Sequence, residues 1–194
     1  MNKLNKVLAV ASVTTMAFVG MAVAVPAANA ATDFKTDTVS LTIGETLMLT
    51  LTGTGDFGTV SVASANTAAQ NANVKSNFVG GYVLILNDQD TDTDLVGTTS
   101  SSNTIPTLAS ASTLLPNQST SAWGVYVGTG TTGAAGSTFQ PMPSSAGTPI
   151  QIASTSAISA AAGDNYPVTY GAQISGSQAP DIYEDIVVYT LTSN

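Results

Sequence analysis

The sequence predicts an all-β fold, a β-sandwich of about nine strands joined by long Ser/Thr/Gly-rich loops. Three observations predict it. Apolar and polar residues alternate with period two in several short segments, the pattern of a strand with one wet face. Ser and Thr supply 47 of the 164 residues from Ala31 onward; Thr is β-branched and suits strands, while Ser and Gly suit turns. Turn-rich tracts also separate the alternating segments, which fits a sandwich better than a helical or mixed fold.

The first thirty residues have the layout of a secretory signal. Lys3 and Lys6 precede an apolar stretch from Val7 to Val25, and Pro26-Ala27-Ala28-Asn29-Ala30 presents small residues where a signal peptidase reads. Cleavage is expected after Ala30, leaving 31–194 as a single exported domain, extracellular or associated with the cell surface. An uncleaved anchor is the alternative, since the stretch is nearly long enough to span a bilayer. Pro26 and the Ala-x-Ala pattern favour cleavage, and with no second long apolar segment the mature chain is expected to have no transmembrane segment.

Within 31–194, Val39, Leu41 and Ile43 alternate with Thr38, Ser40 and Thr42 and predict a first strand. Leu47, Leu49 and Leu51 predict a second, with Met48 suggesting cover on both faces, and Val60 and Val62 extend the pattern over Thr59 to Ala63. Ala65 to Ala72 reads as a short helix or a loop, because its Asn and Thr are poor helix formers. Gly81 to Asn87 is the most hydrophobic run and predicts a strand buried on both faces near the middle of a sheet. The acidic segment Asp88 to Asp94 follows, and Leu95-Val96 begins a partner strand.

Two long irregular tracts, Gly97 to Ala122 and Gly128 to Pro149, flank the compact strand Trp123 to Val127. Loops of such length are where binding usually sits. Trp123 reads as a core residue between sheets, and Ile150 to Ile152 as a short strand. Val168 to Ser175 and Tyr183 to Leu191 flank the turn Gly176 to Asp181 and predict a terminal hairpin. On its last strand Tyr183, Val187, Tyr189 and Leu191 share one face, with Ile182, Ile186 and Val188 on the other.

The ending Ala179-Pro180-Asp181-Ile182-Tyr183 with Val187-Val188-Tyr189-Thr190-Leu191-Thr192 is similar to the terminal "P-A-G-x-Y … V-T-Y/W-T-L-T" hairpin of secreted bacterial β-sandwich surface proteins. These include WxL-domain cell-wall proteins and surface proteins of reduced-genome candidate-phylum bacteria. The second group also resembles this chain in Gly81-Tyr82, the Asp/Thr-rich turn before Leu95-Val96, Trp123-Gly124 and Val168-Thr169-Tyr170-Gly171. Asp181 stands where that turn usually has Gly, and Trp123-Gly124-Val125 is the nearest approach to a W-x-L tripeptide. The resemblance implies a β-sandwich held non-covalently at a cell wall.

Composition narrows the chemistry. The chain has no cysteine and no histidine, which removes thiol and Ser-His-Asp catalysis and most zinc sites. After Ala30 only Lys35 and Lys75 oppose twelve carboxylates, so nucleic acid is a poor partner: phosphate binding needs cationic side chains. A self-made isopeptide bond would need one of those two lysines buried. Two carboxylates facing each other in a cleft would suffice for a hydrolase, but Glu184 and Asp185 read as solvent-edge residues, and no enzyme is expected.

Asp88, Asp90, Asp92 and Asp94 form the one site-like motif: carboxylates at every second position can converge on calcium if the loop curls. The bland reading is a solvated turn whose Asp side chains cap backbone amides. Tyr82, Trp123, Tyr126 and Phe139 are the aromatics a carbohydrate-binding groove would use. The leading expectation is an exported structural or adhesive surface protein whose partners are cell wall, glycan or copies of itself, with a carbohydrate-binding or cell-wall-binding module as the alternative.

Overall fold

The computed structural model describes residues 39–128 and 138–194. The chain divides into two units, Met1–Leu41 and Thr42–Asn194. Of the first, only 39–41 are described, as exposed irregular chain, so the signal-peptide expectation for residues 1–30 lies outside the described residues, as does Lys35. Every described strand belongs to the second unit.

That unit is all-β. Twelve strands are present among the described residues: β1 Leu47–Gly53, β2 Asn66–Ser76, β3 Tyr82–Asp88, β4 Leu95–Gly97, β5 Thr104–Ile105, β6 Ser112–Thr113, β7 Ala122–Val127, β8 Thr138–Phe139, β9 Ile150–Ser154, β10 Asp164–Gln173, β11 Tyr183–Glu184 and β12 Val187–Ser193. No helix occurs among these residues, hence none long and apolar enough to cross a membrane. The strands form four antiparallel sheets, ordered β1-β2-β10-β7, β12-β3-β9, β11-β4-β5 and β6-β8. The number differs from the nine expected because two expected segments are not strands, β2 was not expected as one, the last expected strand is divided into β11 and β12, and the Ser/Thr-rich tracts hold the two-residue strands β5, β6 and β8, too short to show a period.

Side-chain alternation decides which faces meet. In β3, Tyr82, Leu84, Leu86 and Asp88 are all fully buried while the residues between them are half-buried, as expected of the central strand of its sheet. The inward row of β10, Val168, Tyr170 and Ala172, packs with Trp123 and Val125 of β7 against Leu86, Leu95 and Ile105, so the four-stranded sheet faces the two three-stranded sheets together. A second cluster, Ala72, Val74, Tyr82, Leu84 and Ala153, continues this core. A third, Leu108, Leu114 and Phe139 packed on Ala122 and Tyr126, lies on the opposite face of β7.

Tyrosine hydroxyls stitch the facing layers. Tyr170 Oη of β10 meets Tyr189 Oη of β12 at 2.7 Å, and Tyr82 Oη of β3 donates to Asp164 Oδ2 at 2.5 Å and meets Tyr166 Oη at 2.7 Å. Burial is the first cause that pushes the phenols of Tyr82, Tyr170 and Tyr189 upward, so all three stay neutral donors.

Several expectations need correction. The segment around Val39, Leu41 and Ile43 is exposed irregular chain rather than a strand, because no neighbouring strand pairs with it. In β1 Met48 is exposed, so only one face is partly covered. Thr59 to Ala63 is a loop: Ser61 N donates to Asn66 Oδ1 at 3.1 Å and Asn66 Nδ2 donates to Ser61 O at 3.0 Å, a local alternative to strand pairing.

Ala65 to Ala72 is neither helix nor loop but most of β2, held between β1 and β10. Its inward row of Ala68, Ala72 and Val74 is small enough to pack beneath the opposite sheet, and Asn71 and Asn73 both donate to Asn165 Oδ1 at 3.0 and 2.9 Å on the outer face. The terminal hairpin does not form. β10 already has partners on both sides, and residues 174–182 carry the chain across to the opposite layer, where β11 pairs with β4 and β12 with β3. Leu95-Val96 likewise pairs away from β3, in the sheet of β11 and β5.

Candidate functional site

Two acids lie where β3 ends, Asp88 on its last position and Asp185 in the break before its partner strand. Period-two burial places Asp88 at the end of the inward row Tyr82, Leu84, Leu86, and its residue is 0 % exposed. Antiparallel pairing sets Val187 of β12 opposite Asp88, so the two-residue break between β11 and β12, Asp185-Ile186, lies beside it. At that break the chain passes from one three-stranded sheet to the other, and Asp185 Oδ2 is buried there.

Each carboxyl is half satisfied. Asp88 Oδ1 accepts from Asp90 N at 3.0 Å, and Asp185 Oδ1 accepts from Ile186 N at 2.7 Å. Among the described residues, Asp88 Oδ2 and Asp185 Oδ2 are the two buried side-chain oxygens with no hydrogen-bond partner. Burial first, and then the neighbouring acids Asp88 and Asp90, push the Asp185 carboxyl up to about 7. A cavity of about 280 Å³ is lined by Gln89, Asp90, Val96, Glu184, Asp185 and Ile186.

The four acids singled out from sequence are not gathered. Asp88 is buried, Asp90 and Asp92 are exposed and Asp94 is half-buried. Each of the first three caps the amide two residues on: Asp88 Oδ1 accepts from Asp90 N, Asp90 Oδ1 from Asp92 N at 2.8 Å, and Asp92 Oδ1 from Asp94 N at 3.1 Å. Asp94 Oδ1 accepts from Thr107 N at 3.4 Å. This staircase of Asx turns points the carboxylates along the chain rather than into one centre, and no three acids converge on a metal position among the described residues. In the structure Asp88, Asp90, Asp92 and Asp94 belong to a capped turn, docked by Trp123 Nε1 donating to Thr93 O at 2.9 Å and Ser145 N donating to Asp90 O at 2.6 Å.

The aromatics do not share a groove. Trp123 is 2 % exposed and sits in the first core cluster, Tyr82 in the second and Phe139 in the third, with Tyr126 packed on Phe139 at 6.1 Å between ring centroids. Trp123 as a core residue agrees with the sequence reading; a glycan platform made of these four does not. Lys75 is exposed on β2, which leaves it without the burial an isopeptide bond requires.

A larger cleft of about 1030 Å³ opens between β10 and the β11 to β12 passage, with Leu51, Phe57, Ile105, Tyr170, Ile174 and Tyr189 among its apolar walls. Its rim is fastened by Asp181, whose carboxylate accepts from Asn103 Nδ2 (3.0 Å), Thr99 N (3.0 Å), Ser100 N (3.2 Å) and Ile182 N (2.9 Å). The Asn103 amide leads the donors that lower this carboxyl to about 2. Gly97 is required here, since a Cβ would stand 2.5 Å from Asp181 Oδ2.

Together these features define an all-β layered protein with an open apolar cleft and a buried acid pair. No protein-family model matches the chain, and no curated protein matches it.

Proposed function

We propose that this protein is an exported structural component that associates with copies of itself at the cell surface. One observation carries the reading: Val39, Leu41 and Ile43, a strand-patterned apolar row, are 92, 85 and 77 % exposed. An exposed alternating segment of this kind is a ready donor for strand addition to another chain. The apolar cleft of about 1030 Å³ is the acceptor of matching chemistry on a second copy.

Magnitudes say what such a contact needs. Burying three aliphatic side chains contributes roughly 5–8 kcal/mol, comparable with the cost of about 4 kcal/mol or more for joining two molecules. Side chains alone give weak association, so main-chain pairing with a sheet edge has to add to them. The role is structural rather than catalytic: the chain offers no histidine or cysteine, and Asp88 is fully buried.

Light scattering of the purified chain over a wide concentration range tests this. Mass is expected to rise with concentration, and Leu41→Ser combined with Ile43→Ser is expected to keep the chain monomeric while moving its melting temperature by no more than about 1–2 °C. A wild type that stays monomeric throughout, or a variant that associates unchanged, overturns the reading. Cell fractionation tests export separately; recovery of the chain from the cytoplasm alone would refute it.

A further inference from the structure

We infer, resting on the self-association reading, that copies join head to tail: the row Val39, Leu41 and Ile43 of one copy enters the apolar cleft of the next along the free edge of β12, and the contact repeats into a filament. Every joined pair then keeps one unused row and one unused cleft.

The cleft is a wedge between two sheet edges. Among the described strands β1 and β12 each pair on one side only, and they belong to facing layers. At one end Leu47 and Leu49 of β1 and Tyr189 and Leu191 of β12 all pack on the second core cluster, so the layers close there. Towards Leu51 and Val187 they part, and the cleft of about 1030 Å³ opens between Leu51, Phe57 and Val60 on one side and Ile182, Ile186 and Val187 on the other. Ile182 and Ile186 are 65 and 62 % exposed on its rim, and Leu51 and Val60 are exposed as well. A strand laid along β12 covers these side chains, finds main-chain partners on the free edge and turns every second side chain into the wedge.

The occupant follows from what else the surface offers. Val39 to Ile43 carries no charge and sets three exposed aliphatic side chains at every second position, whereas exposed Val79, Leu115 and Ile158 stand singly. The donor is a different copy, because Asn77 holds the chain before β1 extended. Asn77 Nδ2 donates to Gly44 O at 2.9 Å, Thr46 N donates to Asn77 Oδ1 at 2.7 Å, and Asn77 N donates to Thr46 O at 3.2 Å. These bonds carry the β1–β2 ladder past Leu47 and leave no reversal at Gly44-Glu45, which a row returning to its own cleft at the Leu51 end of β1 requires. A chain that leaves in line with β1 meets the Leu51 end of a copy stacked beyond it. Row and cleft are different surfaces, so the contact is heterologous, and in-line stacking repeats it without closing a ring.

Sedimentation of the intact chain and of two kinds of variant tests this. Wild type is expected to pass the mass of a dimer and to go on growing with concentration. Leu41→Ser combined with Ile43→Ser removes the row; Ile186→Lys or Leu51→Lys, both at exposed positions, blocks the cleft. Each alone is expected to stay monomeric with its melting midpoint moved by no more than about 1–2 °C. An equimolar mixture of a row variant and a cleft variant is expected to give a species of twice the chain mass and nothing larger, since one intact row meets one intact cleft. Wild type that associates but stops at a dimer overturns the head-to-tail inference and leaves self-association standing. So does a mixture that stays monomeric, or a cleft variant that grows like wild type. Wild type that never associates overturns both.

Discussion

Asp185 shows how one residue's role depends on its position at a break between strands. Its carboxyl holds a proton up to about pH 7, whereas in the unfolded chain it releases it near pH 4. Between these values the native state binds more protons than the unfolded state, so this residue makes stability fall as pH rises from about 4 to about 7 and leaves it flat above. Asp88, Asp90 and Glu184 are the charged groups that surround it, all acidic, so none reverses the sign. The melting midpoint of wild type relative to Asp185→Asn is expected to drop by roughly 2–5 °C across that interval, a figure reduced for partial solvation. A difference that stays constant with pH would show that Asp185 is not protonated in the fold. The alternation Tyr183, Val187, Tyr189, Leu191 placed Asp185 on the inward face; reading acids as solvent-seeking hid it.

At the level of elements, pairing partners were set by which strands still had a free edge. β10 is flanked by β2 and β7, so β12 pairs with β3 instead, although the two runs sit close in sequence and have hairpin character. Pro167 marks the same logic: it lies in β10 where β2 is paired, one residue before pairing with β7 begins at Val168, so its missing N–H does not interrupt that second ladder. Contact between the layers rests in part on the Tyr170 and Tyr189 hydroxyls. A double-mutant cycle with Tyr170→Phe and Tyr189→Phe is expected to give a coupling energy of about 1 kcal/mol. Additive single effects would show that the two hydroxyls do not depend on one another. Strand β2 shows the limit of propensity, since Ala, Asn and Gln form a central strand when small side chains are what the opposite layer accommodates.

Across the whole molecule, strands distant in sequence are neighbours in space: Asn66 pairs with Ala172, and Tyr82 with Ser193. Closing such long loops before their contacts form is slow, so refolding is expected on the millisecond-to-second scale. Stopped-flow tryptophan fluorescence, reporting the single core Trp123, measures it, and refolding complete within microseconds would contradict this arrangement of sheets. Composition and alternation alone determined that the chain is all-β, that Gly81 to Asn87 and Trp123 to Val127 contain core strands, and that thiol and imidazole chemistry are absent, because these depend on residue identity and local period. Tertiary structure decided the pairing of strands, the capped state of Asp88, Asp90 and Asp92, the separation of the aromatics into three clusters and the burial of the Asp88 and Asp185 Oδ2 atoms. Each of those depends on which distant segment occupies a given edge or face, and backbone hydrogen bonding, which joins strands, carries no record of its partner in the local sequence.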